Sequence, residues 1–75
     1  MTQTIELTRQ REARGWTKRE LGARADLHPS RVGVIENGRV VPYDVELARL
    51  AHALGFTGDP HDLLALRTEV AGVGA

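Results

Sequence analysis

The chain has 75 residues, no cysteine, ten Lys or Arg residues and ten Asp or Glu residues, so its formal net charge is zero. A chain this short makes one domain with a limited core, and a second subunit would help to bury apolar surface. Without thiols it can form neither a disulfide nor a thiolate zinc site. No apolar run is long enough to span a bilayer. The N-terminus lacks a signal peptide's basic start and apolar core, so a cytoplasmic protein is expected.

The distribution of charge says more than its total. Residues 9–39 carry eight cations against four anions, whereas residues 40–75 carry two cations against five anions. A basic front and an acidic back are compatible with an anionic partner at one end only. An ordinary solvated surface would read the same way.

Apolar spacing is helical throughout, and no stretch alternates with period two over strand length. Five helices are expected, over roughly 4–14, 17–25, 29–37, 43–54 and 60–70. Gly15 closes the first, where a left-handed residue ends the last turn. Thr17-Lys-Arg-Glu20 reads as a capping box opening the second, with Trp16 and Leu21 placed for a hydrophobic staple. Trp16 is therefore read as core rather than as a base-stacking side chain. His28 caps the third helix, with Pro29 at its first position, where the missing N–H costs nothing. Leu27 and Val32 repeat the staple around that cap, and Gly38 ends the helix. In the fourth, Leu47, Leu50, Ala51 and Leu54 follow the i, i+3, i+4, i+7 pattern, and Gly55 stops it. Asp59-Pro60 starts the fifth, on which Leu63, Leu66 and Val70 would form one apolar stripe offered to a second subunit. Residues 1–71 are expected to form the domain, and residues 72–75 a fraying tail.

The second and third helices are separated only by Asp26, Leu27 and His28, which forces a steep, close crossing. Gly22, in the middle of the second helix, costs about 1 kcal/mol of helix propensity against alanine, and close packing against the third helix would offset it. Leu21, Ala25, Val32 and Ile35 then face inward. Pro29, Ser30, Arg31, Gly33 and Val34 are left near the outer side of the third helix. The N-terminus of that helix suits a phosphate.

These residues carry a resemblance. REARGWTKRELGARADLHPSRVGVIENGR, residues 11–39, and ARLAHALGF, residues 48–56, resemble the Cro/C1-type (XRE-like) helix-turn-helix family of small phage and bacterial transcriptional regulators. The likeness covers roughly residues 5–57. It implies an all-α, lambda-repressor-like bundle of five helices. The second helix braces the DNA backbone and the third lies in the major groove.

Carried onto this chain, the resemblance implies that Thr17 and Lys18 contact phosphates and that Asn37 and Arg39 grip the backbone on the other side. Pro29, Ser30 and Val34 fall at base-facing positions, with Arg31 and Gly33 beside them. Arg31 can bond a guanine or hold a phosphate, and both readings stay open. Arg11 and Glu36 match an ion pair between the first helix and the end of the third. Arg14, Arg19 and Arg24 serve solubility or touch DNA. The chain departs from the family at Lys18 and Pro29, where glutamine is frequent, and at Asp26, where glycine is usual.

Other chemistries have less support. His28, His52 and His61 form no close ligand pair, so no metal is expected. No Ser–His–carboxylate set and no glycine-rich phosphate loop stands out, so no enzyme and no cofactor are expected. Three aromatic residues give little platform for stacking single strands. The expected function is sequence-specific binding of double-stranded DNA by a homodimeric transcriptional regulator, most simply a repressor. The alternative is an antitoxin, immunity or protein-interaction module with the same fold, whose acidic half binds a protein such as a toxin or another regulator.

Overall fold

A computed structural model of the chain describes residues 2–69. In chain order the elements are strand β1 (Thr2–Ile5), helices α1 (Glu6–Ala13), α2 (Lys18–Ala25), α3 (Pro29–Glu36) and α4 (Asp44–Leu54), a 3-10 helix (Pro60–Leu64) and strand β2 (Leu66–Glu69). The expected residues 72–75 tail lies outside the described residues. Among the described residues, no helix is long and apolar enough to cross a membrane.

The helix ends follow the local chemistry of the sequence. The Thr17 hydroxyl accepts the Glu20 N–H at 3.0 Å, and the Glu20 carboxylate accepts the Thr17 N–H at 3.1 Å, completing the capping box. At α3 the Nδ1 atom of His28 accepts the Ser30 N–H at 3.1 Å. Gly15, Gly38 and Gly55 all have positive φ. Each lies beside a pair of closing bonds that satisfies the last carbonyls, as in Gly38 N–H to Ile35 and Arg39 N–H to Val34.

The core is assembled from every helix. Leu7, Leu21, Val32, Ile35, Leu50, Leu54 and Leu63 are buried together, and Trp16, Leu27 and Phe56 close over them. Burying each such aliphatic side chain contributes about 1.5–3 kcal/mol against the entropy of ordering the chain.

The fifth helix and the all-α class are corrected. Asp59 caps a helical start as expected, its carboxylate accepting the His61 N–H at 3.0 Å. The turn is 3-10 and ends at Leu64, and Ala65 is extended. The chain then runs antiparallel to β1, pairing Ile5 with Leu66, Thr4 with Arg67, Gln3 with Thr68 and Thr2 with Glu69. Residues 4 and 5, expected in the first helix, are strand instead. Two four-residue strands are too short to show a period, and neither has a partner nearby in sequence. The strand pair also supplies the start of α1. Ile5 offers no side-chain cap, and the Glu6 N–H donates to the Ala65 carbonyl at 2.9 Å.

The apolar stripe expected on the fifth helix is dissolved with it. Leu63 is fully buried in the core, while Leu66, on β2, is 64 % exposed. Val70 lies outside the described residues.

Candidate nucleic-acid interface

The crossing of α2 and α3 rests on two backbone features. Asp26 takes the left-handed conformation, with φ 58°, that glycine would otherwise supply. Aspartate is among the less costly residues there. The Leu27 N–H then returns to the Gly22 carbonyl at 2.8 Å. A Cβ at Gly22 would collide with the Leu27 carbonyl oxygen. The glycine in the middle of α2 is thus the point at which the turn backbone crosses the helix.

A buried ion pair holds α3 from behind. The Nε and Nη2 atoms of Arg11 donate to Glu36 at 2.8 and 3.1 Å, and its Nη1 donates to the Trp16 carbonyl at 2.8 Å. The carboxylate holds the Arg11 guanidinium above its ordinary pKa, chiefly through these hydrogen bonds. Arg11 therefore faces the protein interior.

The residues expected to meet DNA fall into two groups. Thr17, Lys18, Asn37 and Arg39 are exposed at the start of α2 and beyond the end of α3. Thr17 accepts the capping bond but keeps its own O–H as a donor. The stem of Lys18 runs past α3, its Cδ lying 3.9 Å from the position of a Cβ on Gly33. Pro29, Gly33 and Val34 are half-buried on α3, and Ser30 is exposed. The Ser30 hydroxyl lies 2.7 Å from His28 Nδ1, so it is already engaged by the cap.

Arg31 has a partner that the sequence did not announce. Its Nε donates to Glu46 Oε2 and its Nη2 to Glu46 Oε1, both at 2.8 Å. The Tyr43 ring centroid lies 5.7 Å from the guanidinium carbon. Glu46 is nearly buried and also accepts the Tyr43 N–H at 2.9 Å, which caps α4. The Arg31 hydrogen bonds hold the Glu46 carboxyl below the usual carboxylate range. Sequence reasoning missed Glu46: its partner Arg31 lies 15 residues away, and only folding brings the two together.

Arg14 and Arg24 also acquire structural roles. Both cover the Trp16 ring, with guanidinium carbons 5.7 and 4.2 Å from its centroid, and Arg14 donates to the Leu54 carbonyl. Trp16 is half-buried against the core beneath them. Among the described residues no His, Asp and Glu side chains gather into a metal-ligating cluster.

A family model described as a helix-turn-helix domain matches residues 4–64. Comparison with curated proteins and with solved structures finds no match. The family match spans the capping box, the turn at Asp26, α3 and the core-forming face of α4. The chain belongs to the XRE-like helix-turn-helix family of DNA-binding regulators.

Proposed function

We propose that this protein is a sequence-specific, Cro/C1-type transcriptional repressor that binds double-stranded DNA as a homodimer, with α3 of each subunit in a major groove. The observation that carries this reading is the close α2–α3 crossing. It offers a helix of small and apolar outer residues, Pro29, Ser30, Gly33 and Val34, between two exposed cations, Lys18 and Arg39. Phosphate contacts from Thr17, Lys18, Asn37 and Arg39 would set the register, and α3 would read base edges. Pro29 has no side-chain donor, so its base contact would be apolar, as would that of Val34 with a thymine methyl. Repression would follow from occupancy of an operator.

A homodimer is supported by the small core and by exposed apolar side chains at Val41, Tyr43, Val45 and Leu66. A two-fold dimer places two α3 helices about 34 Å apart, so the site would be a near-palindrome with half-sites about 10 base pairs apart. Selection from a random duplex pool, with sedimentation at micromolar concentration, tests both parts. Enrichment of such a site by a dimer is expected. A non-palindromic site bound by a monomer would remove the dimer alone. Failure to enrich any sequence, at low or high salt, would leave a protein-binding module as the better reading.

A further inference from the structure

We propose that Glu46 is a positioning residue for base readout: its carboxylate clamps the side edge of the Arg31 guanidinium and leaves the end edge to bond a guanine. The inference rests on the DNA-binding reading above. A guanidinium has five N–H donors in a planar fork. Glu46 takes the side edge, Nε and Nη2, at 2.8 Å each. The end edge, formed by Nη1 and the second Nη2 proton, makes no hydrogen bond among the described residues. That edge keeps two parallel donors, which match the N7 and O6 acceptors of guanine in the major groove.

Three features make the clamp stiff. Arg31 stands in the first turn of α3 and its side chain is 29 % exposed, so it reaches solvent from a seated position. Glu46 is held in turn by the Tyr43 N–H, which ties the carboxylate to the α4 backbone. The Tyr43 ring flanks the guanidinium. A fixed donor pair loses little freedom on meeting a base and cannot follow a displaced one. The paired carboxylate also cancels the charge of Arg31. A free arginine would seek phosphates and strengthen binding to every sequence; a neutralised one adds discrimination without adding counterion release.

The test combines two substitutions with two readouts. Arg31→Ala combined with Glu46→Gln, which leaves no stranded charge, should abolish a guanine preference of roughly tenfold to hundredfold at one position per half-site, with the log–log salt slope nearly unchanged. Glu46→Gln retains an oxygen for the Tyr43 N–H but frees the arginine charge. It should relax the same position and steepen the slope by about 1 per subunit. A guanine preference that survives Glu46→Gln would overturn the positioning role. So would a doubly substituted protein, Arg31→Ala with Glu46→Gln, that weakens on all sequences alike with a flatter slope. In the free protein, carbon NMR of the Glu46 carboxyl should show titration below the usual range, moved upward by Arg31→Ala. Ordinary titration in the wild type would show that the clamp is absent. A wild-type chain that enriches no DNA would overturn the DNA reading and this proposal with it, while the carboxyl titration still reported the clamp itself.

Discussion

Glu36 and Lys18 show how two charged side chains near α3 do different work. Glu36 is nearly buried and receives both Nε and Nη2 of Arg11. Removing the carboxylate strands a buried guanidinium, which costs about 3–5 kcal/mol. Glu36→Ala should therefore lower the melting temperature by more than about 10 °C, and DNA binding should be lost only in step with folding. Calorimetry checks this; an unchanged melting temperature would mean that the pair contributes nothing. Lys18 is exposed and enters no ion pair among the described residues. Lys18→Ala should leave stability within about 0.5 kcal/mol. It should flatten the log–log salt dependence of DNA binding by about 1 and weaken all sequences alike. Binding measured from low to high salt checks it, and an unaltered slope would take Lys18 off the phosphate backbone.

At the scale of elements, the α2–α3 unit depends on one missing Cβ. Ala is the better helix former by about 1 kcal/mol, and at an exposed site Gly22→Ala would stabilise α2. Here the added methyl would meet the Leu27 carbonyl oxygen, which is backbone and cannot rotate away. Gly22→Ala should instead destabilise by about 1–3 kcal/mol and shift α3 relative to α2. Denaturant unfolding gives the sign, and a more stable Gly22→Ala protein would show that the crossing is loose. The local reasons for α2 and α3 are all present in the chain as letters: Thr17 with Glu20, His28 with Pro29, and Gly22 opposite a three-residue turn. The end of the protein was not legible in the same way. Asp59-Pro60 announces a helix start equally well for one turn or three, and only the pairing of residues 66–69 with residues 2–5 decides between them.

Across the whole molecule, ion pairs join the ends of the chain and set its response to pH. Glu6 accepts from Gln10, Arg9 and Arg67, and it lies below its ordinary carboxylate range chiefly through the Gln10 bond. Glu46 lies low for the reasons above. Both folded values are depressed, so their contribution is present above the unfolded carboxylate value of about 4.3 and is lost as pH falls through the folded values. His61 behaves in the opposite sense. Its ring bridges Asp59 and Asp44 at 3.1 Å each, and those bonds raise its pKa. Its contribution is complete below the unfolded histidine value of about 6.5 and is lost as pH rises through the raised folded value. Because the bridge is exposed, the effect should be small and screened by salt. Melting temperature against pH should fall in acid below about pH 4 and decline slightly above neutrality. His61→Gln should remove only the second slope, and persistence of that slope would exclude the bridge as its cause.

By itself the sequence determined the four helices, the caps of α2 and α3, the glycine stops at residues 15, 38 and 55, the close α2–α3 crossing and the family. Each of these is encoded within a few residues by hydrogen bonds and φ preferences that need no distant partner. The base-facing and phosphate-facing positions followed by resemblance along the same segment. Tertiary structure alone decided three things: that residues 66–69 form a strand, that Arg24 covers Trp16, and that Arg31 is held by Glu46. In each, the partner lies elsewhere along the chain. A four-residue strand or a lone arginine has no preferred state until packing delivers the edge, ring or carboxylate that completes it.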